Sequence, residues 1–229
     1  MRLAPNEPNA YTRRADVYGK LAQYDKAIED YGQALKLRPN DAGILSDRGD
    51  AYVYMAEFER AIEDYSAALR IDAKRPWDLK ARARANFHAK HYAEAARDFS
   101  AALETEPQDH YSALWEYLSA RRGGAEGRKV LAARAKAIDL EKWPGVVVRF
   151  YLGQVKAKQV LAAAQSEDAQ KQKEQLCEAR FYLGEDALLR GERATATKYF
   201  RQTLDEGVPS FVEVHAARNE LRALGALAN

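Results

Sequence analysis

Residues 24–37 read YDKAIEDYGQALKL, and two similar segments follow at steps of 34 residues: FERAIEDYSAALRI at 58–71 and YAEAARDFSAALET at 92–105. In each segment the same positions carry alanine, aspartate, an aromatic ring and leucine. The aligned positions are Ala27/Ala61/Ala95, Asp30/Asp64/Asp98, Tyr31/Tyr65/Phe99, Ala34/Ala68/Ala102 and Leu35/Leu69/Leu103. A fixed period of this length predicts a repeat architecture.

Each copy predicts a pair of helices joined by a short turn. In the first copy, helix A is expected at about 9–21 and helix B at about 25–37, and Pro39 then acts as a stop signal. The alanines let the two helices approach closely, and the aromatic ring fills the gap between one pair and the next. Because a single pair cannot bury its apolar face, several copies must stack to form a continuous core.

These positions resemble the tetratricopeptide repeat family, which has a small residue at repeat position eight (Ala15, Gly49 and Ala83 here) and proline near the end. The resemblance covers residues 8–107. It implies an all-α fold: a right-handed α-solenoid of helix-turn-helix pairs with a degenerate middle, a C-terminal repeat and a capping helix. We expect regular repeats at about 8–41, 42–75 and 76–109 within a first region, 1–107.

The pattern weakens after residue 107. Region 108–165 predicts a worn helix pair, 110–122 and 126–138, and then irregular helices beginning near Pro144. Region 166–229 predicts a long charged helix at 166–190, a repeat restored at 177–208, a stop at Val208-Pro209-Ser210 and a capping helix at 210–225. Repeat arrays commonly end in a cap with a polar outer face.

Four strings occur in this order: LWEYLS (114–119), WPGVVVRFYLG (143–153), ARFYLGEDALLRGERATATKYF (179–200) and FVEVHAARNELRALG (211–225). They resemble the C-terminal half of the bacterial lipoprotein NlpI family. That resemblance implies a non-enzymatic, homodimeric adaptor that holds a periplasmic protease and cell-wall hydrolases together. The chain has no lipobox cysteine near its start, so membrane anchoring stays an open question at this stage.

In tetratricopeptide repeats, helix A lines a concave groove that binds peptides or proteins. Transferred to this chain by repeat position, the candidate groove residues are Arg13, Asp16, Lys20, Asp47, Asp50, Tyr54, Trp77, Lys80, Arg84 and His88. Both charge signs and aromatic anchors suit a peptide or helix that carries charges of its own. The competing interpretation is a solvated face without a ligand.

Some family members bind a C-terminal carboxylate with a clamp of lysines, asparagines and arginine. Here Asp16 and Asp47 stand at the asparagine positions and Trp77 replaces a lysine, so the sequence predicts no such ligand. The locally basic stretch 74–97 could dock an acidic segment of a partner, or acidic side chains of neighbouring pairs could offset its charge. An arginine also recurs sixteen residues before the aspartate in each copy, as Arg14, Arg48 and Arg82. This spacing predicts a salt bridge between helices A and B of each pair.

Composition excludes several classes of protein. With 36 basic and 34 acidic residues, the chain lacks the basic excess of a nucleic-acid binder. Its one cysteine, Cys177, is expected to be a small buried residue. No catalytic motif, metal site or cofactor site is predicted: His88 and His91 lack further ligands, and the carboxylates are expected on exposed helix faces.

Three hypotheses therefore remain: an adaptor, a self-assembling structural dimer without an external groove ligand, and an enzyme with a site in 108–165. No residue run is apolar enough to predict a membrane span. The abrupt start of the first repeat suggests an upstream leader that has been removed. We expect a periplasmic location in that case, with outer-membrane anchoring open, and a cytoplasmic one otherwise.

Overall fold

The computed structural model describes residues 7–206 and 211–227, apart from the side chain of residue 206. Over these residues the chain forms thirteen α-helices and no strand, so the predicted all-α class is confirmed. The chain divides into two compact units, Met1–Thr105 and Glu106–Asn229. No helix in the described part is both long and apolar enough to cross a membrane.

The first unit consists of three helix pairs. They are α1 (Pro8–Lys20) with α2 (Tyr24–Leu37), α3 (Ala42–Tyr54) with α4 (Phe58–Ile71), and α5 (Pro76–His88) with α6 (Tyr92–Thr105). Each helix packs on the next along the chain, so the second helix of one pair contacts the first helix of the following pair. This nearest-neighbour packing is the stacked arrangement expected of a solenoid.

The turn inside each pair uses the same backbone conformation. Ala22, Ala56 and Lys90, again 34 residues apart, have positive φ angles of 54°, 58° and 67°. Gly191 occupies the corresponding turn of the second unit with φ 78°. A residue with a side chain is uncommon in this left-handed region, because its Cβ crowds the backbone. The recurrence shows that the repeat requires this turn geometry.

The core of the first unit follows the repeated positions. Ala15, Ala27 and Ala34 are fully buried, and Tyr31 packs with them at 6% exposure. In the second copy, Ala61, Ala68 and Tyr65 lie in equivalent places. Small side chains at the helix crossings let the aromatic rings fill the space between pairs, which is the role that the sequence predicts for them.

The predicted salt bridges are confirmed in all three repeats. Each arginine of helix A binds the aspartate of helix B through two side-chain hydrogen bonds, at distances between 2.5 and 2.7 Å. The paired residues are Arg14–Asp30, Arg48–Asp64 and Arg82–Asp98. Two parallel bonds between a guanidinium and a carboxylate fix orientation as well as distance.

The second unit starts with a short, irregular part. It contains α7 (His110–Arg122), α8 (Gly127–Arg134), α9 (Gly145–Tyr151) and α10 (Ala157–Ala163). Helix α8 ends at Arg134, earlier than the expected 126–138, and the next residues form turns. Asp109 caps α7 by accepting hydrogen bonds from two backbone N–H groups of its first turn.

The unit continues with α11 (Ala169–Leu189), α12 (Arg193–Glu206) and α13 (Val212–Ala223). Helices α11 and α12 form a pair in which Phe200 is fully buried against Gly184. Helix α13 packs on both of them. The expected stop at Val208-Pro209-Ser210 lies outside the described residues. Cys177 is buried, as predicted.

The expectation that carboxylates lie on exposed helix faces is wrong for several residues. Besides the aspartates of the Arg–Asp bridges, five carboxylates of the described residues are at most 7% exposed: Asp78, Glu116, Glu178, Glu185 and Glu213. Partners explain most of them, because a buried charge needs hydrogen bonds or an opposite charge. Glu116 is bound twice by Arg134 at 2.9 Å, and Glu185 is bound by Arg122 at 2.9 Å. Sequence spacing alone does not separate such residues from solvated ones.

Candidate functional site

The structure places the ten candidate groove residues on the first helix of each pair in the first unit. Helix α1 carries Arg13, Asp16 and Lys20, α3 carries Asp47, Asp50 and Tyr54, and α5 carries Trp77, Lys80, Arg84 and His88. Most of these side chains are exposed, while Asp50, Lys80, Arg84 and His88 are half-buried.

A cavity of about 300 Å³ lies between α1, α2 and α3. Four of the candidate residues line it: Lys20, Asp47, Asp50 and Tyr54. The remaining walls include the rings of Tyr24 and Tyr31 and small residues that leave the space open, Gly19, Ala27 and Ala51. The rings of Tyr24 and Tyr54 stack, with centroids 4.7 Å apart and planes 6° from parallel. Charged, aromatic and small side chains thus meet in one concave place.

Two buried tyrosines hold two of the carboxylates. The Tyr31 hydroxyl donates to Asp16 Oδ1 at 2.7 Å, and the Tyr65 hydroxyl donates to Asp50 Oδ1 at 2.5 Å. Both bonds join helix B to helix A of the same pair. They fix the carboxylates on the helix surface and reduce the conformational freedom that a ligand would otherwise have to remove.

Burial and repulsion act on the acidic group at this cavity. Burial, followed by the charges of Asp16, Asp50 and Asp41, raises the pKa of Asp47 to about 6, and Arg75 opposes the shift. Burial also raises the pKa of Asp50, against the opposing effects of its hydrogen bond from Tyr65 and of Arg84. A cation brought to this place would relieve the repulsion and keep the carboxylates charged.

Helix α5 carries the opposite charge sign. Arg84 stands at the repeat position that Asp16 and Asp50 occupy in the other two copies. Its guanidinium carbon lies 5.5 Å from the ring centroid of Trp77, which is 59% exposed. At the end of the helix, the ring of His88 packs on Phe58 with centroids 5.2 Å apart. The candidate surface therefore runs from mixed charge on α1, through acidic on α3, to basic and aromatic on α5.

Sequence reasoning missed the roles of Tyr24, Tyr31 and Tyr65 at this surface, since it assigned the latter two to packing alone. A signal for the hydrogen bonds exists in the repeat. Where helix B has tyrosine, helix A has aspartate fifteen residues earlier, and where it has Phe99, helix A has Arg84. A ring without a hydroxyl cannot donate to a carboxylate, so the two positions change together.

The described residues contain no group of three or more histidine, cysteine or carboxylate side chains placed to hold a metal ion. His91, considered with His88 as a metal ligand, lies 3.6 Å from Glu59 instead. Two of the groove carboxylates, Asp16 and Asp50, accept hydrogen bonds from tyrosine hydroxyls.

Comparison with family models shows two tetratricopeptide repeats, at residues 8–41 and 42–75. These are the first two helix pairs described above. The third pair continues them with the same 34-residue step and the same Arg–Asp contact.

Solved structures show the same fold. A tetratricopeptide repeat protein from Parabacteroides merdae is 20% identical and has a TM-score of 0.61, covering 96% of this chain and 85% of that chain. YrrB, described as a tetratricopeptide repeat protein with an unusual peptide-binding site, is 14% identical with a TM-score of 0.53, covering 93% of each chain.

A third similar structure is the first repeat domain of Spaghetti (RPAP3), bound to the HSP90 peptide SRMEEVD. It is 20% identical with a TM-score of 0.50, covering 55% of this chain and 99% of that chain. Similarity at these identities concerns the fold. Tetratricopeptide domains generally mediate protein–protein interaction, and two of these structures are described by their binding of peptides.

Proposed function

We propose that the chain is a non-enzymatic adaptor that binds a peptide segment of a partner protein along α1, α3 and α5. The observation that carries this proposal is the open cavity of about 300 Å³ lined by Asp47, Asp50 and Tyr54. It combines a concave shape with charged groups and aromatic surface, which is the composition of peptide-recognition sites.

The charges select the kind of peptide. A lysine or arginine side chain would enter the cavity beside Asp47 and Asp50, where it offsets their repulsion, and its aliphatic part would contact the stacked rings of Tyr24 and Tyr54. An acidic or aromatic residue further along would reach Arg84 and Trp77. The preferred segment therefore carries a basic residue followed or preceded by an acidic one.

The known peptide complex with HSP90 supports a binding role for the fold but not the same ligand. That peptide ends in an acidic motif, EEVD. In this chain the two positions where a carboxylate clamp has asparagines carry Asp16 on α1 and Asp47 on α3. Like charges would repel such a peptide, so the ligand differs in charge.

At a finer level, we infer an adaptor of NlpI type that recruits a periplasmic protease or a cell-wall hydrolase and forms a homodimer. The ordered strings between 114 and 225 support this inference. An envelope location follows from it, with outer-membrane anchoring where a lipid-modified leader precedes the chain. Sedimentation velocity over a hundredfold concentration range tests the homodimer: a species of 25.8 kDa at every concentration would contradict it.

The groove is tested with peptides selected by display of random 12-residue sequences on the full chain, followed by calorimetric titration of the selected peptides. We expect enrichment of segments that contain a basic residue, with affinity lost at least tenfold in Asp47→Lys. Glu63→Lys, an equal charge change on the exposed outer side of α4, serves as the matched control.

Selected peptides without any basic residue, or equal losses in the two variants, would contradict the proposal. If no peptide is enriched and sedimentation shows a stable dimer, the alternative of a self-assembling structural subunit is correct instead. A change of circular dichroism in Asp47→Lys alone would indicate altered folding, and Asp47→Asn then replaces it, with an expected loss of about threefold to tenfold.

A further inference from the structure

The second unit contains another groove along α12. It consists of two adjoining concavities of about 480 and 340 Å³. Both are lined by Thr195 and Tyr199 of α12, so they lie next to each other along that helix. The other walls of the groove come from α10 and α11 and, in the smaller concavity, also from Tyr117 of α7, Arg128 of α8 and Tyr151 of α9. None of the residues discussed for the first unit takes part in it.

The larger concavity is mainly apolar inside, while the smaller one is lined by polar and apolar surface in similar amounts. Helix α11 supplies the floor through Leu176 and Leu183, which are 9% and 2% exposed. Leu161 of α10 lines one side, and Tyr199 of α12 lines the opposite side. An apolar floor between two helical walls fits the apolar face of an amphipathic segment.

The edges of the groove are basic. Arg180 and Lys198 line the larger concavity, and Arg128, Lys156 and Arg190 line the smaller one. The acidic residue in the lining, Asp186, is bound by Arg190 at 3.1 Å. Within residues 7–206 and 211–227, Arg128, Lys156 and Lys198 form no salt bridge, so these cations keep their charge available at the edge.

The groove has a structural cause that follows from the repeat. In the first unit, a 14-residue helix packs against the first helix of the next pair, as α2 does against α3 and α4 against α5. In the second unit, the helix that precedes α11 is α10, with only 7 residues. At about 1.5 Å per residue, α10 is about 10 Å shorter than those helices. The pair α11–α12 therefore keeps apolar surface that a full-length helix would cover.

We propose that this groove binds an acidic amphipathic segment of a partner protein. The apolar floor takes leucine-like side chains, and the cations on both edges take glutamate or aspartate. Charge complementarity favours an acidic segment over a basic one. A basic segment would meet three cations without a carboxylate to offset them, while an acidic segment would meet opposite charges. This site is separate from the groove on α1, α3 and α5, and it prefers the opposite ligand charge.

A designed peptide tests the proposal on the full chain. The probe is a fluorescein-labelled 16-residue helix with leucine at i, i+3, i+4 and i+7 and glutamate at the flanking positions, compared with versions in which glutamine or lysine replaces glutamate. We expect fluorescence anisotropy to show at least tenfold tighter binding of the glutamate peptide at 50 mM salt. Its affinity should fall with added salt, because the edge charges are exposed.

The double variant Arg128→Glu with Lys198→Glu should lose at least tenfold in affinity. Lys129→Glu with Arg193→Glu makes the same charge change at exposed positions outside the groove and should lose less than threefold. Equal binding of the glutamate and glutamine peptides, equal losses in both double variants, or no binding at 1 mM peptide would overturn the proposal. Asp47→Lys should leave this affinity unchanged, which separates failure here from failure of the first groove.

Discussion

Replacing Arg48 by methionine should destabilise the first unit more than replacing its partner Asp64 by asparagine. Arg48 donates two hydrogen bonds of 2.7 Å to the Asp64 carboxylate. The two side chains differ in exposure, at 24% for Arg48 and 8% for Asp64. Asp64, which remains after the substitution of Arg48, is therefore buried, while Arg48, which remains after the substitution of Asp64, has access to water.

Exposure determines the expected magnitudes. Without Arg48, the Asp64 carboxylate stays buried without its cation, and an uncompensated buried charge costs about 3 kcal/mol of unfolding free energy. In Asp64→Asn the charge is lost, but Arg48 can turn toward water and can still donate to the amide oxygen of the new asparagine. This substitution should therefore cost about 1 kcal/mol of unfolding free energy. The coupling between them should be about 1.5 kcal/mol, reduced from the value of a fully buried pair because Arg48 is partly solvated.

Urea unfolding followed by far-ultraviolet circular dichroism gives these free energies, and hydrogen exchange of residues 42–71 locates them in the second repeat. Arg97→Met is the control, since its bridge to Glu94 spans 2.7 Å between side chains that are 72% and 50% exposed. The control should change stability by less than about 0.5 kcal/mol. A larger cost for Asp64→Asn than for Arg48→Met, or coupling below about 0.5 kcal/mol, would refute the reasoning.

Three further predictions concern Glu185 and Gly184 of the second unit and Gly32 of the first. Burial, followed by the charge of Glu220, raises the pKa of Glu185 from 4.5 to about 8, so the folded state holds this proton more tightly than the unfolded state. The free energy of unfolding should therefore rise as the pH falls from 8 toward 5. Over the same range, the urea midpoint of the Glu185→Gln variant should rise less than that of the unchanged chain. An equal rise in both proteins would contradict this prediction. Gly184→Ala should destabilise by about 1–3 kcal/mol, because the new Cβ would lie 2.6 Å from the ring of Phe200. In Gly32→Ala the new Cβ would have only Arg48 near it, at 3.9 Å, so this substitution should stabilise α2 by about 0.5–1 kcal/mol. The melting temperatures of the Gly184→Ala and Gly32→Ala variants should therefore shift in opposite directions.

The fold of the first unit was predictable because each structural requirement is repeated three times. A small residue such as Ala27 at a helix crossing, or a ring such as Tyr31 between pairs, has a single role in all copies, and the 34-residue step makes it visible. The Arg–Asp contacts followed from the same alignment. Repetition separates a structural requirement from chance in a way that one copy cannot.

The second unit could be predicted only in part. Its long helix and the glycine at 184 were visible, but α9 and α10 have 7 residues each and too few turns to show a clear period. Glu178 shows the other difficulty. Its partners Tyr111 and Trp143, at 3.0 and 2.6 Å, lie 67 and 35 residues away in the sequence. Contacts between residues that are far apart in the sequence and occur once produce no regular spacing. The sequence therefore does not distinguish the buried carboxylates from solvated ones.

The candidate groove was predictable from the sequence only in part. Repeat numbering transferred Asp47, Asp50 and Tyr54 to the correct helix, but it gave no account of which groups meet. The contribution of Tyr24 depends on stacking across two pairs, and the raised pKa of Asp47 depends on burial and on three surrounding carboxylates. Both are properties of assembled pairs, and neither belongs to one helix.

The Arg–Asp bridges and the Tyr–Asp bonds all close inside a single 34-residue copy. A gene duplication or deletion of one whole copy would therefore keep each of these pairs together. Mainly apolar surfaces would have to match at a new junction, beside the contact of Arg75 with Asp78 that crosses from the second copy to the third. Such surfaces tolerate exchange more readily than fixed hydrogen bonds do. The array can thus lengthen or shorten over generations by unequal recombination, while changing the order of acidic and basic surfaces that it offers.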